Sequence, residues 1–223
     1  MKNNNFINRS YNACLKRLID LILSSIFLII LLPFFVVFWP ILLWQMALPI
    51  IFKQKRTGKN GKEFTIYKFR TMVKNAEALR LKKQKQFAKL NYAPKPMFKI
   101  EDDPRFTKFG KVLSKTGLDE LPQIFNVIKG DMALVGPRPL PIDEAKGLSK
   151  IDPDWYQWRH QVKPGLFSLW VLDDKRHQSL KIWKKLEKDT LTLNLCQQYW
   201  LIIKIILIQL QKTIDLLFKT RSK

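Results

Sequence analysis

Between Leu21 and Phe52 the chain reads "LILSSIFLIILLPFFVVFWPILLWQMALPIIF", without one charged side chain. A helix needs about 20 apolar residues to cross a bilayer core. The run exceeds that length and marks this part of the chain as a membrane segment. It is too long for the apolar region of a cleavable leader, and no small-residue cleavage site follows it. Pro33, Pro40 and Pro49 fall inside it. Proline removes an amide donor and clashes with the preceding turn, so a straight helix is not expected. Lys16 and Arg17 precede the run, and Lys53, Lys55 and Arg56 follow it. Because Lys and Arg favour the cytoplasmic side, a single crossing strands one cluster outside. A helix that bends near Pro33 and leaves by the face it entered satisfies both. A re-entrant helix is therefore the first expectation, ahead of a kinked single span.

The rest of the chain is strongly basic: 40 Lys and Arg against 18 Asp and Glu give a formal net charge of +22 over 223 residues. That length suits one domain with a real core, or a compact domain plus an appendage. The charge implies an anionic partner, which is nucleic acid, an anionic membrane surface or a phosphorylated substrate. With 15 Phe and 7 Trp the chain is no disordered basic arm, and it carries no nucleic-acid recognition motif. Cys14 and Cys196 lie far apart, which fits a reducing compartment without a disulfide framework. Cys14 reads as an idle thiol rather than an acylation site.

Asn60-Gly61 separates two strand-like runs, a strong hairpin signal because both turn residues tolerate positive φ. "MVKNAEALRLKKQKQFAKLN" predicts a lysine-rich, solvated helix, and "YAPKPMFKIEDDPRF" a proline-punctuated loop. Thr107 is placed to cap a short helix running to Gly117. A second helix starts near Leu118 or Asp119, tolerates Pro122 only in its first turn, and stops at Gly130. Its stripe of Leu121, Ile124, Phe125 and Ile128 predicts one buried face. The final run "QYWLIIKIILIQLQKTIDLLFKT" suits an interfacial helix and a core helix equally. His160 and His177 show no zinc-site spacing and are expected at the surface. Trp155, Trp158 and Trp170 are expected in packing rather than stacked on a ligand. Asp131 suits a turn or a supporting acid. Boundaries are placed at 1–52, 53–195 and 196–223.

Asp119 and Glu120 stand at the head of the second helix. Free amides and the helix dipole favour ionised carboxylates there, so an isolated Asp-Glu pair reads first as helix stabilisation. Three neighbours change that balance. A helix N-terminus also suits a phosphate, if a metal ion screens the repulsion. "GPRP" presents Arg138 on a loop stiffened by Pro137 and Pro139, and a guanidinium held this way can grip phosphate in bidentate fashion. "YKFRTM" adds Lys68 and Arg70 near the membrane entry. These residues suit phosphoryl transfer with a carboxylate nucleophile, a metal-binding acid and cationic clamps.

The same residues resemble the bacterial sugar transferases of the monotopic phosphoglycosyl transferase type. The resemblance runs from "LKRLIDLILS" through "FKQKRTGKNGKEFTIYKFRTM" and "DPRFTKFGKVLSKTGLDELPQIFNVIKGDMALVGPRP" to "VKPGL", roughly two thirds of the chain. It implies an α+β, mostly helical protein with a re-entrant membrane helix kinked at Pro33 and a small cytosolic catalytic domain. It further implies an enzyme at the cytoplasmic face of the bacterial inner membrane. There Asp119 would attack the sugar-linked phosphate of a UDP-sugar and release UMP. Polyprenyl (undecaprenyl) phosphate would then take the phosphosugar, starting a surface glycan such as exopolysaccharide, O-antigen or capsule. Mg²⁺ would be held by Glu120 with Asp119, and Arg138 would grip phosphate. Lys68, Arg70, Lys115, Pro137, Pro139 and Lys163 would complete the substrate site. Partners would be the UDP-sugar, the lipid phosphate and the anionic membrane surface, not nucleic acid, with a homodimer left open. The sequence departs from the family pattern at Leu32, Ser114, Phe167, Ser168, Val171, Asn194 and Gln197. A catalytically inactive relative that binds lipid or scaffolds glycan assembly is the alternative.

Overall fold

In the computed structural model, which describes residues 13–45 and 48–219, the apolar run forms one long helix, α1 (Ala13–Gln45). Its 33 residues make it about 50 Å long at about 1.5 Å per residue. The prolines do not interrupt it: helix continues through Pro33, where the sequence predicts a bend, and through Pro40. Residues 46 and 47 of the run lie outside the described residues. Among residues whose side chains are described, no helix is long and apolar enough to cross a membrane. The unbroken stretch ending at Pro33 still carries Lys16, Arg17 and Asp20.

The first turns of α1 are fastened to the rest of the chain by polar contacts. Asp20 is buried and accepts from Lys16 Nζ at 2.9 Å, from Tyr199 Oη at 3.4 Å and from the Leu134 amide at 3.4 Å. Arg17 donates to the carbonyls of Val127 (2.6 Å) and Ile128 (2.9 Å). Further along, Phe27 and Leu28 pack on the core cluster of Phe64, Ile66, Ile124 and Val127.

The predicted hairpin forms. β1 (Ile51–Thr57) and β2 (Glu63–Phe69) pair antiparallel with Thr57 opposite Glu63, and the turn holds Asn60 at φ 56° and Gly61 at φ 73°. The lysine-rich segment is two short helices rather than one, α2 (Ala76–Lys82) and α3 (Gln84–Leu90), and within them Phe87 is buried. Without a continuous apolar face, packing does little to hold a longer helix together. Thr107 caps α4 (Lys108–Thr116), its hydroxyl accepting from the Gly110 amide at 2.9 Å.

Gly117, at φ 72°, then turns the chain into a 3₁₀ segment (Leu118–Gln123) that passes Pro122 into α5 (Ile124–Lys129), which ends at Gly130. This corrects the single helix and its stripe. Phe125 is 49% exposed, while Gln123, Ile124, Asn126 and Val127 are buried. A 3₁₀ turn holds about three residues instead of 3.6, so the phase read across the junction does not hold.

β3 (Ala133–Val135) leads to β4 (Leu140–Pro141), which joins the hairpin in the order β2-β1-β4. After α6 (Ile142–Ile151) and α7 (Pro153–Arg159), β5 (Gly165–Phe167) pairs parallel with β3. α8 (Leu180–Thr192) and α9 (Leu195–Lys219) close the chain. On α9, Leu201 and Ile205 are buried while Trp200, Ile203, Leu207 and Leu210 are exposed, so the core and interfacial readings each describe one face. Trp155 and Trp170 are core residues, as expected, with Trp183 beside them.

The histidine expectation is wrong. His160 and His177 are both buried, His160 with Nδ1 2.6 Å from the Tyr156 carbonyl and His177 with its ring edge-on to Trp170. A neutral imidazole packs as an aromatic ring, and nothing local in the sequence reveals that.

Candidate active site

The 3₁₀ segment packs on β2, and this contact builds the site. Lys68 on β2 bonds Glu120 Oε1 and places Nζ 3.9 Å from Asp119 Oδ2. Arg138 Nη1 lies 3.8 Å from the same Glu120 oxygen. Glu120 lines a narrow cleft of about 20 Å³ together with Lys68, Arg56, Arg138, Ser168 and Trp170. Asp119 is 8% exposed and lies beside that lining, not in it.

Arg138 is held from three directions. The Gly136 amide donates to Phe167 O (3.1 Å) and the Gly165 amide to Pro137 O (2.9 Å), which pins the loop across β3 and β5. A Cβ on Gly165 would fall 2.0 Å from the Gly136 nitrogen, so this close approach requires glycine. The Arg138 guanidinium sits 4.5 Å from the centroid of the Trp170 ring, a cation–π contact. From behind, Arg159 Nη2 donates to the Arg138 carbonyl at 2.5 Å. Glu187, fully buried, accepts from Arg159 Nη2 (2.7 Å) and Nε (3.0 Å), Trp155 Nε1 (2.9 Å) and Trp183 Nε1 (3.1 Å).

The two carboxylates have different electrostatics. Burial pushes Asp119 up to about 6, with Lys68 pulling the other way and ionised Glu120 adding to the rise. Burial opposes ionisation of Glu120 as well, but Lys68 and Arg138 outweigh it and hold Glu120 well below the usual carboxylate range. One acid is thus fixed as an anion, and the other stays ionised at neutral pH with little margin.

The structure brings Asp119, Glu120, Lys68 and Arg138 together, with Pro137 and Pro139 framing Arg138. It does not bring Arg70, Lys115 or Lys163 to them. Arg70 Nε donates to Pro49 O at 2.8 Å, at the foot of the apolar run. Lys115 is exposed on α4, on the side of Asp102. Lys163 feels Arg17, Lys59, Asp131 and Asp20. Asp131 faces Asn126 and Lys129 beyond α5.

Sequence reading missed Arg56, Lys99, Arg159 and Glu187 as parts of this region. Arg56 was visible as a basic flank of the apolar run, but its bonds to Pro139 O (2.9 Å) and Gln54 Oε1 (2.6 Å) depend on strand pairing. For the other three no local signal exists.

No group of three or more His, Cys, Asp and Glu side chains able to hold a metal occurs among the described residues. Two adjacent carboxylates nonetheless fit Mg²⁺, which commonly takes one or two acids, several waters and substrate phosphates. Lys68 is the cation now lying between them.

Comparison with known proteins identifies the family. A family model described as bacterial sugar transferase matches residues 11–217. The undecaprenyl-phosphate galactose phosphotransferase of Salmonella typhimurium is 40% identical over 174 residues, 77% of this chain and 35% of that protein. The UDP-glucose:undecaprenyl-phosphate glucose-1-phosphate transferase of Klebsiella pneumoniae is 34% identical over 204 residues, 90% of this chain and 40% of that protein. The exopolysaccharide production protein ExoY of Sinorhizobium fredii is 35% identical over 168 residues, 74% of this chain and 71% of that protein. The chain therefore spans only about a third to two fifths of the length of the first two relatives. With the family model covering nearly all of its residues, the chain belongs to the bacterial sugar transferase family.

Proposed function

We propose that this protein transfers a sugar-1-phosphate from a UDP-sugar to polyprenyl phosphate, at the cytoplasmic face of a bacterial inner membrane, as the first step of a surface glycan. The observation that carries this reading is the split carboxylate pair: Asp119 and Glu120 share Lys68, yet only Glu120 is held firmly ionised. The names of the Salmonella and Klebsiella relatives, both undecaprenyl-phosphate transferases, support the acceptor class.

In the first step an Asp119 carboxylate oxygen attacks the sugar-linked phosphorus. An O–P bond forms to Asp119, the bond to the UMP oxygen breaks, and UMP leaves with the electron pair. In the second step a phosphate oxygen of the polyprenyl phosphate attacks the same phosphorus. The Asp119–P bond breaks, the carboxylate is restored, and polyprenyl-diphospho-sugar is formed. Arg138 and Arg56 supply fixed positive charge along the cleft, where charge builds on phosphoryl oxygens. Lys68 exchanges its carboxylate partners for substrate phosphate as the donor enters. Mg²⁺, held by Glu120 and Asp119, would neutralise the donor diphosphate.

The lipid acceptor requires the cleft to sit at membrane level. Exposed apolar side chains on α1 (Leu18, Ile22, Ile26, Ile29) and α9 (Trp200, Ile203, Leu207) support a membrane-embedded and a membrane-lying element respectively. A re-entrant α1 predicts that single cysteines introduced at Asn4 and Asn60 are labelled from the same face. Labelling from opposite faces establishes a span instead.

UMP release by detergent-solubilised protein, with Mg²⁺, polyprenyl phosphate and a panel of UDP-sugars, tests the reaction. Release with one donor, absent in Asp119→Asn, is the expected result. Silence across a broad panel from folded protein gives the scaffold reading precedence.

A further inference from the structure

Behind the cleft lies a larger cavity, about 180 Å³, that shares Arg56 and Arg138 with it as a common wall. Its lining carries more positive charge than the structure uses. Arg105 is closed off by Asp103 at 2.6 Å, which leaves Arg56, Lys99 and Arg138 facing Glu144 among the charged groups of this lining. Glu144 itself accepts from the Phe98 amide at 3.3 Å. Burial and the neighbouring Arg138 together depress both Arg56, to about 10, and Lys99, so these cations crowd one another around Glu144, the one carboxylate of this lining not closed off by Arg105.

Polar atoms left without partners lie in and beside this lining. Arg56 Nε has no hydrogen-bond partner although Arg56 is only 9% exposed. Both ring nitrogens of His177 are unpartnered at 9% exposure, and Trp170 Nε1 and Arg176 Nε nearby are unpartnered as well. Buried donors are nearly always satisfied, so a cluster of unsatisfied ones beside surplus cations indicates a missing anion with further polar edges. Around His177 the walls are aromatic: Trp170 at 5.0 Å, Tyr92 at 5.8 Å and Trp183 at 6.0 Å, all edge-on, with Phe98 also in the lining. Cations set against a polar-tipped aromatic box match a nucleotide, which is phosphate joined to a flat heteroaromatic base.

We infer that this second cavity seats the nucleotide half of the donor, with the phosphates against Arg56, Arg138 and Lys99 and the base against His177. The inference rests on the donor being a nucleotide-linked sugar, as proposed above. It gives each chamber a task. Bond exchange takes place in the cleft, while the departing UMP stays behind the Arg56–Arg138 wall. Lys99 lies within electrostatic reach of both Lys68 and Asp119, which brings the phosphate end of the cavity close to the nucleophile.

The test is equilibrium binding of UMP, ribose 5-phosphate and inorganic phosphate to the full chain in detergent, in wild type and in an Asp119→Asn background that prevents turnover. UMP is expected to bind about tenfold or more tighter than ribose 5-phosphate, the worth of about one good polar contact to the base. His177→Phe, which keeps the aromatic box and removes the nitrogens, is expected to erase that gap and leave ribose 5-phosphate binding unchanged. Lys99→Met is expected to weaken UMP and ribose 5-phosphate alike by about tenfold. Equal binding of UMP and ribose 5-phosphate in wild type, or a gap that survives His177→Phe, overturns the assignment. If His177→Phe loses its thermal transition, Lys99→Met decides alone, and unchanged UMP affinity there overturns it. UMP binding that responds to these variants in a protein without sugar-phosphate transfer removes the proposed reaction and keeps the nucleotide seat. Transfer activity without UMP binding at His177 removes the seat and keeps the reaction.

Discussion

Asp119 is the residue at which the proposed function and stability conflict most directly. Its pKa is raised to about 6 by burial, against about 3.9 for an unperturbed aspartate. A carboxyl group shifted this way stabilises the fold fully below its unfolded pKa, and that contribution is lost as pH rises through about 6. At neutral pH the protein therefore keeps an ionised group where a neutral one is preferred. Asp119→Asn is expected to abolish UMP release and yet raise the melting temperature, by an amount corresponding to up to about 3 kcal/mol. Calorimetry of the two proteins at pH 7.5 and at pH 4.5 checks this, because the difference should shrink at the acid end. For the same reason UMP release is expected to rise across pH about 6 as Asp119 ionises, which a pH–rate profile reads directly. Glu120, held ionised by Lys68 and Arg138, should contribute no step to that profile in the same range.

At the scale of elements, the helix ends carry contacts with clear consequences. Asn194 and Gln197, two of the departures from the family pattern, form a reciprocal cap on α9. The Gln197 amide donates to Asn194 Oδ1 at 2.9 Å, and the Asn194 amide to Gln197 Oε1 at 2.9 Å. Asn194→Ala is expected to cost about 1 kcal/mol, visible as a lower melting temperature with the donor preference unchanged. These positions therefore act in helix capping. Arg17 ties the first turns of α1 to the end of α5, the helix that follows the Asp119–Glu120 pair, so α1 and the candidate site share one anchor.

The whole molecule is organised around contacts between distant segments, and the Arg159–Glu187 pair is the deepest of them. Glu187 gathers Arg159, Trp155 and Trp183, and Arg159 in turn bonds the carbonyl of Arg138. Breaking a buried pair leaves an uncompensated charge and costs about 3–5 kcal/mol. Glu187→Ala is accordingly expected to lower the denaturation midpoint sharply, measured by chemical unfolding in detergent. Arg159→Lys keeps the charge but loses the fork that serves Glu187 and Arg138 together. It is expected to lower kcat for UMP release more than it lowers stability.

The sequence by itself determined what short-range physics decides. Asn60-Gly61 fixed a hairpin, Thr107 and Gly117 bounded a helix, and adjacent acids followed by Gly-Pro-Arg-Pro marked the candidate site, because each depends on backbone preference or on a few neighbours. The tertiary structure decided everything that requires segments to meet. It placed Lys68 on the acids across 52 positions and Arg56 on the Arg138 loop across 83. It buried His177 in an aromatic box, carried the buried face of α5 away from the predicted stripe, and left Arg70, Lys115 and Lys163 outside the cluster. Charge and residue type are properties of the chain, whereas burial and partner choice arise only when packing removes water from between groups that the sequence keeps apart.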